Sequence, residues 1–373
     1  MQKIYLDNAA TTPVCDAAFE KFNEISRENW GNASALHEYG RRASQILEQS
    51  KHIFTELLGD GEAVFTSGGT ESNNLALYGV CDKHRSGRII ITADEHSSLL
   101  NPVKQLGSKG FDVVMVPFGG GEETFLNNFS AALTPDTIFC GVMAVNNETG
   151  LIFPVKKVAV LTHKIAPNAV FHTDAVQAFC KIPFSPKALG VDTCSFSGHK
   201  IGAFQGAGAL WIKKGVKLTP RFYGGRQQNS LRPGTEPIAL IGAFAETAKQ
   251  MAKTLPERTE KAKAFFETLR NRLFGSEVLF NGTFGSPFIG SISLPKVPSE
   301  VLMRFLEENG ILVSAGSACM GGKTSPAAAD LIGENAKYTL RVSLGPQNTP
   351  DDAAALAAVL ILAQERFAKQ VQK

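Results

Sequence analysis

Lys200 closes the run Ser195-Phe196-Ser197-Gly198-His199-Lys200, which follows an apolar approach and leads into the glycine-rich residues 201–208. Hydroxyl, imidazole and glycine neighbours are poor company for a solvated surface lysine. An amine partly stripped of water gives up its charge more easily. Such an amine can form a Schiff base, and the carbonyl most often held this way is the aldehyde of pyridoxal phosphate. A single lysine in a turn is ordinarily a surface cation, so the reading rests on what else the chain supplies.

Three further groups supply it. Residues 63–66 read as a buried strand that delivers Ser67-Gly68-Gly69-Thr70-Glu71-Ser72-Asn73-Asn74 onto a helix over 75–81. Strand, glycine turn and helix start make an anion site: backbone N–H groups point at a phosphate, Gly68 and Gly69 let it approach, and the Thr70 hydroxyl adds a bond. The pattern is neither the dinucleotide nor the nucleotide-triphosphate fingerprint. The ring nitrogen of pyridoxal phosphate must stay protonated for the ring to accept electrons, which calls for an aspartate beside it. Asp174, in His172-Thr173-Asp174, is the candidate, with Gln177 placed to reach the ring's phenolic oxygen and His96 placed to lie on the ring face. His172 with Asp174 also allows a metal pair, but no third ligand stands at a supporting spacing, so no metal is expected.

The elements that must carry these residues follow from the apolar pattern. Strand-like segments at 89–92, 113–116, 138–145, 170–173, 193–197 and 209–212 alternate with helical ones such as 99–106 and 155–164. That alternation predicts an α/β fold with a mostly parallel central sheet flanked by helices, whose ligands bind where strands end. The polar groups cluster at those ends. A long helical segment from 238, broken near Pro256, leads to strands at 278–280, 289–294, 311–314 and 340–344, a helix at 301–308 and a final helix from Pro350. The expected division is a large cofactor-binding domain over 12–250 and a smaller C-terminal α/β domain over 251–373, which residues 1–11 join.

Composition excludes other classes. Among 373 residues, 38 Lys and Arg balance 35 Asp and Glu, and no basic segment with interleaved aromatics suggests nucleic acid. No apolar run approaches the ~18 residues of a membrane span, so a soluble, cytoplasmic protein is expected. The six cysteines form no CxxC pair. Five read as small apolar fillers, and Cys319, in Gly316-Ser317-Ala318-Cys319 with glycines on both sides, reads as a thiol on a mobile loop.

Eight motifs stand in one order: Thr66 to Asn74, Glu95-His96, Val145-Asn146-Asn147-Glu148, His172 to Gln177, Ser197-Gly198-His199-Lys200, Arg232-Pro233-Gly234-Thr235, Gly316 to Cys319, and Arg341-Val342-Ser343-Leu344-Gly345. In this the chain resembles the cysteine desulfurases of the nitrogen-fixation and iron-sulfur-cluster type, within class V of the aminotransferase superfamily. The resemblance implies a fold-type I pyridoxal-phosphate enzyme, a homodimer, that takes sulfur from L-cysteine and leaves L-alanine. It assigns Lys200 to the Schiff base, Asp174 to the ring nitrogen, and His96 to stacking on the ring, with Lys200, Cys319 and His96 as the catalytic residues. Thr70 (with Gly69 beside it), Ser197 and His199 take the phosphate, and Thr235 takes that of the neighbouring subunit. Gln177 and Asn146 take the ring oxygen or the bound substrate, and Arg341 the substrate carboxylate, which a planar guanidinium grips by two bonds. Cys319 receives the sulfur as a persulfide and passes it to an iron-sulfur scaffold or relay protein, for cluster assembly or thiolation. A free thiol of pKa about 8.5 is only a few per cent thiolate at neutral pH, so a local base or cation must help it. Ala33 stands where the family has proline, and Met320-Gly321-Gly322-Lys323 replaces a serine-rich run. A selenocysteine lyase or aminotransferase of the same class shares the lysine and aspartate without needing the cysteine.

Overall fold

The computed structural model describes residues 3–282, 285–315 and 332–371. The chain divides into two units: Pro13–Val145 with Phe153–Lys253, and Met1–Thr12 with Asn146–Ile152 and Thr254–Lys373. The first strand, β1 (Ile4–Tyr5), belongs to the second of these.

The larger unit is built on a seven-stranded sheet of β2 (Gly61–Thr66), β3 (Arg88–Thr92), β4 (Asp112–Val116), β5 (Thr137–Gly141), β6 (Val170–Asp174), β7 (Thr193–Ser197) and β8 (Gly208–Lys213). Their order is β2-β8-β7-β6-β5-β3-β4. Only β8 runs against its neighbours, pairing antiparallel with both β2 and β7, while the other pairs are parallel. The sheet is therefore mostly parallel, as its βα alternation predicts, and β2, β3, β6 and β7 all end at the same edge. Ile89, Ile90 and Ile91 are wholly buried, as strands covered on both faces require. The covering helices are α1 (Asp16–Glu28), α2 (Glu38–Leu58), α3 (Gly69–Cys81), α4 (Ser97–Ser108), α5 (Glu122–Ala132), α6 (Val155–Ile165), the short α7 (Pro186–Leu189) and α8 (Ile238–Lys253). Along α2, Ala43, Leu47, Phe54 and Leu58 recur at helical spacing and are buried. Phe54 packs edge-on to Phe65 and Phe244 and stacks on Phe179, tying α2 and α8 to the sheet.

The other unit contains α9 (Leu255–Arg272), β9 (Leu279–Phe280), β10 (Ile289–Ser293), α10 (Ser299–Glu308), β11 (Ile311–Leu312), β12 (Ser314–Ala315), β13 (Thr339–Ser343) and a C-terminal helix, Pro350–Val371. A four-stranded sheet runs β12-β13-β10-β9, and β1 pairs in parallel with β11. Leu6, Phe265, Phe305, Leu340 and Leu360 meet in its core.

Three boundaries differ from the sequence expectation, and the break expected near Pro256 is present. Helix α3 begins at Gly69 rather than 75, because the polar run Thr70 to Asn74 forms its first turns. The strand expected over 138–145 stops at Gly141, although Val142 N and Ala144 N still donate to His172 O and Asp174 O. The strand expected over 311–314 is two, since Leu312 pairs with β1 and Ser314 with β13. The long helix from 238 breaks at Thr254, with Pro256 in the first turn of α9, where its missing N–H costs nothing. No helix among the described residues is long and apolar enough to cross a membrane.

Candidate active site

At or just beyond the ends of β2, β3, β6 and β7 stand the predicted residues Thr70, His96, Asp174, Ser197, His199 and Lys200. After β2 the chain turns at Ser67 and Gly68 into α3, whose N-terminus no side chain caps. Its first-turn N–H groups and the positive end of the helix dipole are thus left for an anion. The turn sits hard against β8: a Cβ on Gly208 would lie 2.4 Å from Gly68 Cα, and one on Gly69 would lie 2.8 Å from Val176 Cγ2. Thr70 is exposed beside the turn, and Ser197, at the end of β7, is buried with its Oγ 3.8 Å from where a Gly68 Cβ would stand. Glu71 accepts from Ser67 N at 2.6 Å and from Arg232 Nε at 3.0 Å. Burial opposes its charge, but these donors hold the carboxyl below its ordinary range. A cleft of about 550 Å³ opens here, lined by Ser67, Thr70, Glu71, Arg221 and Arg232 among others.

Asp174 ends β6, 6% exposed, with Oδ1 accepting from Val176 N at 2.9 Å and Oδ2 from Asn73 Nδ2 at 2.8 Å. Asn73 is wholly buried and also bonds Ser98 Oγ at 2.8 Å, Ser195 Oγ at 2.6 Å and His172 Nε2 at 3.0 Å. Burial lowers the His172 pKa to about 3, so the ring is neutral and cannot serve as a cation. His96 is exposed at the N-cap of α4, its Nδ1 2.8 Å from Ser98 Oγ. Next to it Glu95 is buried, accepting through Oε1 from Thr92 and Met143 N while Oε2 has no partner. Burial, then the charge of Asp174, raises the Glu95 pKa to about 8.

Lys200 ends the single 3₁₀ turn after β7 and is half-buried. Burial, then the charges of Lys200 and Lys181, lower the His199 pKa to about 4, which makes its ring a neutral donor at neutral pH. Gln177 is buried, and its Oε1 accepts from Lys181 Nζ at 2.7 Å. Thr235 is exposed. Sequence reasoning singled out neither Asn73, Ser98 nor Lys181. Polar residues inside a helix carry no signal of their own, and Gln177 and Lys181 meet within a run of turns rather than a helix, so their spacing of four carries none either.

In the other unit Arg341 lies on β13, with Nη1 donating to Asn147 O at 2.9 Å and Nη2 to Asp7 Oδ1 at 2.7 Å. Its buried Nε has no acceptor. Asn146 is buried and its Oδ1 accepts from Glu148 N, Thr149 N and the Thr149 hydroxyl, an Asx turn that occupies the oxygen. Any bond it gives a ligand must come from Nδ2. Cys319, with Gly316 to Lys323, lies outside the described residues. Of the described cysteines, 81, 140, 180 and 194 are buried, and burial pushes the Cys81 and Cys140 thiols up to about 12. Cys15 is only partly buried, its Sγ 3.8 Å from Thr247 Oγ1, rather than a core filler.

A pyridoxal phosphate suits what is present: an uncapped helix start with a backbone turn too close-packed for side chains, a buried carboxylate held as an acceptor, and a half-buried amine at one sheet edge. Among the described residues no His, Cys, Asp and Glu group could hold a metal ion. Fold and chemistry together define the class as a pyridoxal-phosphate-dependent α/β enzyme. More narrowly, the chain belongs to the aminotransferase class-V family, whose model matches residues 4–356.

Relatives narrow the comparison. The chain is 33% identical over 370 residues to the putative cysteine desulfurase IscS 1 of Bacillus subtilis, covering 96% of this chain and 97% of that one. It is 34% identical over 365 residues to the cysteine desulfurase IscS of Dictyoglomus turgidum, covering 94% and 92%. Among solved structures, a NifS-like protein matches with a TM-score of 0.90 at 30% identity, over 97% of this chain and 100% of that one. SspA in complex with cysteine matches with a TM-score of 0.79 at 30% identity, over 92% and 99%.

Proposed function

We propose that this chain is a cysteine desulfurase that takes sulfur from L-cysteine and leaves L-alanine. The observation that carries the reading is a likeness of about one residue in three to cysteine desulfurases over nearly the whole of both chains. Bound pyridoxal phosphate would supply the aldehyde that captures the substrate amine and the protonated ring that accepts electrons from Cα. Lys200 Nζ takes the Cα proton as general base. Asp174 keeps its carboxylate against the ring nitrogen, and His96 covers the ring and moves protons from its own ring nitrogen. Ser197, His199, Thr70 and the N–H groups after Gly68 hold the phosphate, with His199 neutral and donating. Gln177 and Asn146 Nδ2 orient the ring oxygen and the substrate, and Arg341 takes the substrate carboxylate.

Cys319 Sγ, as thiolate, attacks the substrate sulfur. An S–S bond forms, the Cβ–S bond breaks with its electron pair left on Cβ, and protonation of Cβ, with the proton held by Lys200 returned to Cα, gives alanine. The persulfide then passes to an acceptor protein of the iron-sulfur scaffold or relay kind. We further propose a homodimer in which Thr235 reaches the partner's phosphate, and a cytoplasmic setting.

Cys319→Ala tests the reading. The purified variant should stay yellow with bound cofactor, yet give no alanine, sulfide or persulfide from L-cysteine, while the wild type gives alanine and a persulfide mapped to Cys319 by mass spectrometry. Unchanged sulfur release from the variant would leave another class-V activity, such as a selenocysteine lyase, as the better account.

A further inference from the structure

Asn73 has a buried amide with four partners, and their chemistry fixes which way each bond runs. Asp174 Oδ2 can only accept, so the Asn73 atom 2.8 Å away must be Nδ2. Its Oδ1 then faces His172 Nε2 at 3.0 Å and Ser195 Oγ at 2.6 Å, both as donors. Because the His172 ring is neutral and gives its proton from Nε2, its Nδ1 accepts from Thr193 Oγ1 at 2.9 Å.

The second Nδ2 proton of Asn73 goes to Ser98 Oγ at 2.8 Å. That hydroxyl, having accepted, turns its own proton toward its other neighbour, His96 Nδ1, also at 2.8 Å. Ser98 N donates to the same nitrogen at 3.2 Å. A proton on Nδ1 would meet both donors head-on. The chain of bonds from Thr193 through His172, Asn73 and Ser98 to His96 thus has one polarity, and reversing any link strands a buried donor or acceptor at a cost of about 1–3 kcal/mol.

We propose that Asn73 is a positioning residue that holds Asp174 as an acceptor and, through Ser98, sets the tautomer of His96, so that the neutral ring carries its proton on Nε2. The idea rests on the cofactor reading above for its purpose, since it makes His96 a proton donor from the nitrogen farther from Ser98. The geometry itself is independent of that reading. Thr193, His172 and Ser195, which lie on β6 and β7, act as the frame that keeps the amide from flipping.

Ring-nitrogen NMR on the full chain labelled with ¹⁵N-histidine tests this, with and without bound cofactor, the seven histidines being assigned by single His→Gln variants. In the wild type His96 and His172 should each show a protonated Nε2 and an unprotonated, acceptor-type Nδ1. Asn73→Asp removes both amide donors, so Ser98 O–H turns to the new carboxylate. His96 should then move toward exchange-averaged nitrogen shifts while His172 keeps its Nε2 proton. Repulsion between Asp174 and the new carboxylate should also weaken cofactor affinity about tenfold or more. If that variant fails to fold, Ser98→Ala, which removes one donor to Nδ1, should show the same loss of a single His96 tautomer.

A wild-type His96 protonated on Nδ1, or a His96 signature unchanged in both variants, overturns the proposal. Absence of alanine formation from L-cysteine would sink the desulfurase reading and leave these ring-nitrogen results standing, so the two failures are distinguishable.

Discussion

Glu95 and His172 show how burial at this site translates into a pH dependence of folding. Glu95 keeps its proton in the fold up to about pH 8, whereas an unfolded glutamate releases it near 4.5. Between those values the unfolded chain gains by ionising and the fold does not, so stability falls as pH rises through the window and levels off above it. Glu95→Gln keeps the acceptor for Thr92 and Met143 N but removes that slope. Its unfolding free energy should gain on the wild type with rising pH, by on the order of a few kcal/mol at the alkaline end. Urea midpoints at several pH values across the window check it, and an offset constant with pH would count against it. His172 acts at the other end. Its folded pKa near 3 lies below the unfolded 6.5, so its contribution is complete above 6.5 and is lost as pH falls toward 3. The placement of Lys200, Asp174, His96 and Thr70 at or just beyond strand ends was legible because polar motifs directly follow apolar runs there. Asn73 and Ser98 were not, since the bonds that join them to each other and to Asp174 run between distant segments, and Lys181, whose bond to Gln177 is local, sits in turns that carry no helical spacing.

At the scale of the element, the turn from β2 into α3 depends on two backbones meeting. Gly208→Ala would place a Cβ 2.4 Å from Gly68 Cα and 2.7 Å from its N and C, all backbone atoms with no side chain to swing away. Overpacking of this kind costs typically about 1–3 kcal/mol. The relief must come from shifting the turn proposed to hold the phosphate, so the variant should lose both unfolding free energy and affinity for pyridoxal phosphate, read by denaturant titration and cofactor absorbance. A loss of stability with cofactor affinity intact would show that the turn does not hold the phosphate. The same stretch explains a misplaced boundary. Thr70 to Asn74 offer no apolar periodicity, yet they form helix because Ser72 and Asn73 bury polar groups against partners in the sheet. Strand and helix alternation was legible because apolar runs covered on both faces leave a strong mark. The split at Val313 was not, because a short run such as Ile311-Leu312-Val313-Ser314 does not say that its halves pair with different strands.

At the scale of the whole chain, the first twelve residues count with the last third. Ile4 N and Leu6 N donate to Gly310 O and Leu312 O, Asp7 bridges to Ser343, and Asn8 Nδ2 donates to Ser343 O at 2.9 Å. At the centre Asp7 Oδ1 lies 2.7 Å from Arg341 Nη2, the side chains 22% and 7% exposed. Removing one member of a buried pair costs roughly 3–5 kcal/mol, and the partial exposure of Asp7 puts the expectation at the lower end. Asp7→Ala should therefore lower the unfolding free energy by about 3 kcal/mol. It should also speed hydrogen exchange at the Ile4 and Leu6 amides more than at Ile90 in the β3 core of the other unit. Asp7→Asn, which keeps an acceptor for the guanidinium, should lose clearly less. If Asp7→Ala leaves both the denaturation midpoint and the exchange at Ile4 and Leu6 unchanged, the N-terminal strand is held by its backbone ladder alone and the pair with Arg341 contributes nothing to the fold.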